Sequence, residues 1–80
     1  MHEMHLLKDL LEDLLNHAEK ADVNKITKVY IRMGEFTEID PEILRHYFKE
    51  HAKETIAESA EIDIEKSDRR ELTLVSFDCE

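Results

Sequence analysis

The chain has no tryptophan, and only one glycine, one proline and one cysteine, at Gly34, Pro41 and Cys79. So few chain breakers exclude a loop-rich or low-complexity polypeptide and suit a helix-rich, compact chain with few loops. A lone cysteine excludes an internal disulfide and any multi-cysteine zinc site among these residues. Basic charge is also scarce. Eleven Lys and Arg stand against 20 Asp and Glu, for a net charge of −9. That balance argues against nucleic acid and anionic membrane as partners, because counterion release needs clustered cations. No apolar run approaches the ~20 residues that span a bilayer. The N-terminus is charged and amphipathic, so no signal peptide is expected and the cytoplasm is the expected compartment.

What is present is enough for one small domain covering residues 1–80. Its core can supply only about 3–5 kcal/mol net, so packing must be efficient. From about Glu3 to Lys20 the pattern is helical. Leu6/Leu7, Leu10/Leu11 and Leu14/Leu15 recur every four residues and Ala18 continues the stripe. A domain this small has few leucines to spare, so the stripe is read as the core face rather than as a partner-binding face. Ala21 to Asn24 forms a turn. In Lys25–Met33, Val29, Ile31 and Met33 alternate with Lys28, Tyr30 and Arg32, which is a strand period, and Gly34 ends it.

Asp40-Pro41 opens a second helix, with Asp40 as N-cap, Pro41 at the first helical position, and Ile39 and Leu44 at the staple positions. This helix is expected to run to about Ala57, with Leu44, Tyr47, Phe48, His51, Ala52 and Thr55 on one face. Ile62 and Ile64 alternate with acidic residues in a second strand. A polar turn at residues 66–70 leads to a third strand over Glu71–Phe77. The expected fold is α+β and two-layered. Two helices pack on one face of a three-stranded mixed sheet, in the order helix-strand-helix-strand-strand. The first two strands are parallel and the last two form a hairpin. On the open face, Lys28 and Arg32 meet Glu61, Asp63 and Glu65, while Tyr30, Val75 and Phe77 form a modest apolar patch able to support a homodimer.

The N-terminus itself is a chelating motif. The Met1 α-amine, the His2 amide nitrogen and the His2 imidazole can all reach one metal ion. Fused nitrogen chelate rings of this size suit nickel(II) or copper(II) in a square-planar field. The α-amine titrates near pH ~8, so binding must release protons. Histidine is too large a second residue for efficient removal of Met1. A chance histidine at a solvated terminus is the plain alternative.

Met1-His2-Glu3-Met4-His5 resembles the opening of the HypA/HybF nickel-insertion accessory proteins of NiFe-hydrogenase maturation, whose signature is Met-His-Glu. Lys28–Phe36 is similar to their first strand and its exit. Asp40–Arg45, followed by Phe48, looks like the start of their second helix, and Thr55–Ile62 their entry into the second strand. The likeness runs from Met1 to about Glu65 without gaps. The family normally carries a zinc module of two Cys-x-x-Cys pairs between its second and last strands. Here the turn at residues 66–70 stands in that place, and Cys79 alone cannot replace the module.

The resemblance implies a nickel-binding metallochaperone with Ni(II) as its metal and no zinc. His2 is the principal ligand, and the nitrogens of Met1, His2 and Glu3 are co-ligands. Glu3 alternatively serves as a carboxylate that orients an imidazole. Asp40 is a further metal candidate, although an N-cap explains it equally. His5, one turn from His2, is an auxiliary candidate. The implied partners are a HypB-type GTPase and a hydrogenase large subunit. No enzymatic activity is expected, since no nucleophile–base pair or phosphate loop is present. The competing reading is a metal-independent interaction module that keeps the fold without nickel delivery. His51 is expected to be partly buried and hydrogen-bonded, and His17 and His46 to lie on the surface.

Overall fold

The computed structural model describes residues 3–80. Its elements are α1 (Met4–Lys20), β1 (Ile26–Met33), α2 (Pro41–His51), β2 (Glu61–Lys66) and β3 (Leu72–Cys79). The α+β order of two helices and a three-stranded mixed sheet is the one expected from the sequence. The leucine stripe of α1 faces inward, with Leu7, Leu10, Leu11, Leu14 and Ala18 all buried. They join Val29, Ile31 and Met33 of β1 and Leu44 and Phe48 of α2 in a single apolar cluster. Both helices therefore cover one face of the sheet.

Helix α1 closes with a pair of bonds that turns the chain back toward the sheet. The Asp22 N–H donates to the Glu19 carbonyl and the Val23 N–H to the Ala18 carbonyl, each at 3.1 Å. Asp22 takes the left-handed conformation this Schellman closure needs, with φ 56°. Helix α2 starts as its sequence predicts. Asp40 Oδ1 accepts from the Ile43 N–H at 2.8 Å, and Pro41 follows. The staple residues Ile39 and Leu44 are both buried.

The helix is shorter than expected, ending at His51 rather than near Ala57. Beyond it, the Thr55 hydroxyl donates to the Ala52 carbonyl at 2.6 Å and accepts from the Ala57 N–H at 3.1 Å. Glu54 adopts φ 66°. These local side-chain bonds replace the helical ladder with a series of turns. Ala52 and Ala57 remain buried, which is why their spacing mimics a continuing helix. His51 is exposed, not partly buried. Its Nδ1 lies 3.0 Å from the Tyr47 carbonyl, and its ring stacks on Tyr47 at 3.9 Å.

The strand order is β2-β1-β3, with β1 parallel to β2 and antiparallel to β3. The expected β2–β3 hairpin is therefore corrected. Residues 67–71 carry the chain past the end of β1 to its opposite edge, a span of two strand spacings or about 10 Å. The Ser67 N–H donates to the Met33 carbonyl at 3.0 Å, and the Gly34 N–H to the Glu71 carbonyl at 2.8 Å. A Cβ on Gly34 would lie 1.5 Å from the Arg69 carbonyl oxygen. The chain's one glycine thus stands where the crossing presses on the backbone.

A second correction concerns the open face. The β1–β3 register pairs Ile31 with Leu74 but Tyr30 with Ser76, so an irregularity falls at Val75. It returns Phe77 to the core side opposite Val29, where it packs against the buried cluster. The expected Tyr30/Val75/Phe77 patch loses its largest apolar member. The charges on that face pair as expected, with Lys28 Nζ 3.8 Å from Asp63 and Arg32 3.6 Å from Glu65.

Candidate metal centre

Of the proposed ligands, Met1 and His2 lie outside the described residues. Glu3 is the first described residue and the only charged side chain buried among them. It precedes α1 and contributes no side-chain cap to that helix. Its carboxylate turns instead to the loop between β1 and α2. The Glu38 N–H donates to Glu3 Oε1 at 2.6 Å, and the Thr37 hydroxyl to Oε2 at 3.2 Å. The Arg70 guanidinium, from the β2–β3 crossing, completes an ion pair with Oε2. The bond is reciprocated along the main chain, where the Glu3 N–H donates to Glu38 Oε1 at 2.6 Å.

The energetics follow from burial. A carboxylate removed from water is costly unless donors and a counter-charge surround it. Here the Glu38 N–H is the largest influence lowering the Glu3 pKa from its ordinary value of 4.5, and the Thr37 hydroxyl and Arg70 add to it against partial desolvation. Glu3 is thus an ionised anchor. It fastens the segment that enters α1 to two loops distant in sequence.

Asp40 lies two residues beyond Glu38, so one loop carries both the Glu3 anchor and the α2 cap. Its Oδ1 is engaged by Ile43, which leaves Oδ2 as the atom available to turn toward a metal. Asp40 also borders an open cleft of about 540 Å³ shared with Phe36, Ile39, Arg45, Ile64 and Lys66. His5 is exposed in the first turn of α1. Among the described residues, no three His, Cys, Asp or Glu side chains gather closely enough to hold a metal. Cys79 is exposed at the end of β3. No helix among the described residues is long and apolar enough to cross a membrane.

Sequence reasoning singled out Glu3 but missed its partners. Thr37 and Glu38 lie 34 and 35 residues away, and Arg70 lies 67 away. No local pattern marks such contacts.

Comparisons with known proteins agree with this architecture. A family model described as "HypA: Hydrogenase/urease nickel incorporation, metallochaperone" matches residues 1–79. The hydrogenase maturation factor HypA of Caldanaerobacter subterraneus subsp. tengcongensis is 40% identical over 62 residues, covering 78% of this chain and 54% of that protein. The protein of the same name from Archaeoglobus fulgidus is 39% identical over 72 residues, covering 88% of this chain and 66% of its own length. The chain therefore spans about half to two thirds of these relatives. The solution structure of the Ni metallochaperone HypA from Helicobacter pylori superposes with a TM-score of 0.69. At 23% identity it covers 95% of this chain and 72% of that one, a likeness of fold.

Proposed function

The chain belongs to the HypA family, and from that premise we propose that it binds Ni(II) as cargo at its N-terminus and hands it on during hydrogenase maturation. Met1 supplies its amine, and His2 supplies its amide nitrogen and imidazole, in a nitrogen-rich square-planar set. Glu3 joins through its amide nitrogen only after that N–H releases Glu38 and loses its proton, because the bond between them is 2.6 Å long. Asp40 is a weaker contributor, since one of its oxygens already caps α2. His5 is an auxiliary donor. A square-planar set leaves the two axial faces open to an incoming ligand, which delivery requires.

The observation that carries this reading is the anchoring of Glu3. A residue adjacent to His2 is buried, ionised and tied to two loops. Such an anchor holds the start of the chain beside the β1–α2 loop that carries Asp40. The nickel unit proposed here spans residues 1–80 and uses no zinc, with the crossing at residues 67–71 standing where the resemblance places a zinc module. A HypB-type GTPase and a hydrogenase large subunit are the proposed partners. The proposed role is carriage of the metal, with no reaction catalysed.

The test is a nickel titration of untagged protein beside His2→Ala, read by calorimetry and absorbance near neutral pH. One tight equivalent, lost in the variant and on addition of residues before Met1, is the expected result. Equal binding by both proteins would refute the N-terminal site. Weak binding by both would favour the metal-independent interaction module.

A further inference from the structure

We propose that Arg70 is a positioning residue for the nickel cargo, holding through Glu3 the segment that carries the donor atoms. This rests on the N-terminal nickel reading and extends it to a residue at the far end of the chain.

The geometry is that of a strap. The crossing is fixed to the end of β1 by its Ser67 and Glu71 backbone bonds. Within it, the Ser67 hydroxyl donates to Glu71 Oε2 at 2.7 Å and accepts from the Arg69 N–H at 3.1 Å. Arg70 therefore projects from a braced turn. Its guanidinium lies over the Phe36 ring, 5.3 Å from the centroid, and pairs with Glu3. The ring face attracts the cation while one of its N–H groups meets Glu3 Oε2.

The two partners are unequal in exposure. The Arg70 side chain is 67% exposed and that of Glu3 only 6%. Removing Arg70 takes nothing from the buried cluster and only its cover over the half-buried Phe36, but it leaves a buried carboxylate with two uncharged donors, the Glu38 N–H and the Thr37 hydroxyl. The fold should survive while the constraint on Glu3 slackens. Groups that orient metal ligands from behind commonly change affinity by about 10–100-fold when removed. The lower end of that range is expected here, because two of the three donors remain.

The experiment compares Arg70→Ala, Arg70→Lys and Arg69→Ala in the untagged full chain. Arg69→Ala removes the same charge from the same turn without touching Glu3. Nickel affinity should fall roughly tenfold in Arg70→Ala, recover in part in Arg70→Lys and stay near the parent's in Arg69→Ala. The nickel absorbance band should shift in Arg70→Ala alone, as a loosened donor set would cause and a general loss of stability would not. In metal-free protein, amide exchange at Glu3 and Glu38 should quicken in the same variant. Parental affinity in Arg70→Ala, or an equal loss in Arg69→Ala, overturns the proposal. A failure of the nickel reading looks different: the parent and His2→Ala bind equally. That outcome removes the cargo role as well, while the metal-free exchange still reports whether the strap exists.

Discussion

Gly34 and Arg69 approach so closely that a single methyl group cannot be placed between them. A Cβ on Gly34 would stand 1.5 Å from the Arg69 carbonyl oxygen and 2.6 Å from its carbonyl carbon. Both obstacles are backbone, so no side-chain rotation relieves the overlap. Gly34→Ala should force the crossing off the end of β1 and break the Gly34–Glu71 and Ser67–Met33 bonds. The expected loss is about 3 kcal/mol, the upper part of the range for overpacking. For a domain holding about 3–5 kcal/mol net, most of the stability would go. Urea denaturation followed by circular dichroism measures it, and a midpoint unchanged from the parent would refute the crossing geometry.

That contact also shows where the sequence stopped being legible. The leucine period of α1, the alternation in β1 and the Asp40-Pro41 cap are short-range signals; the first two place their elements to within a residue and the cap places the start of α2, though not its end. The link after β2 is different. A run of this length can close a hairpin or step across a neighbouring strand, and its polar residues suit either. Gly34 held the available clue, because a sole glycine at the end of a strand is a place where another backbone can approach closely. Phe77 was misplaced because an irregularity at Val75 shifts the side-chain period by one, and no residue type demands it. The site divides similarly. Met1-His2-Glu3 is legible as a chelating motif, whereas the Glu3–Arg70 pair exists only once the fold is formed.

Asp22 offers a stabilising change. It occupies the left-handed position that closes α1, and it places a negative charge at the negative end of the helix dipole. Asn tolerates the same backbone conformation without the charge. Asp22→Asn should stabilise the domain by about 0.3–1 kcal/mol at low ionic strength, with the gain shrinking as salt screens the dipole. Thermal melts of both proteins at two salt concentrations test the magnitude and its cause.

Acid should loosen the crossing and the anchor together. The Glu71 pKa is lowered chiefly by the Ser67 and Thr73 hydroxyls, and that of Glu3 chiefly by the Glu38 N–H. A carboxyl group whose folded pKa lies below its unfolded value contributes stability that is complete above the unfolded pKa and lost as pH falls through the folded one. With an ordinary value of 4.5, the denaturation midpoint should hold at neutral pH and decline below about 4.5. Glu71→Gln should be less stable at pH 7 and show a shallower decline. At the other extreme, Tyr30 donates to Asp78 at 2.7 Å, which raises its pKa above 10.0. Its contribution is complete below the unfolded value and disappears as pH rises through the folded one. Removing the acceptor's charge by Asp78→Asn should weaken this alkaline loss, as a spectroscopic titration of the phenol would show.

The two readings of the α1 stripe make opposite predictions for Leu14. Its side chain is fully buried, in one cluster with Val29, Ile31 and Leu44. Leu14→Ala removes three methyl-sized groups from that contact and leaves a cavity, at a cost of about 2–5 kcal/mol. Against a net stability of about 3–5 kcal/mol, the variant should be substantially unfolded at 37 °C. A stripe reserved for a partner would behave otherwise. Leu14→Ala would then leave the isolated chain as stable as before and weaken only the complex. Met4, 41% exposed on the same helix, is the control, because its truncation should change the melting temperature little. A parental melting temperature for Leu14→Ala would mean that α1 does not close the core.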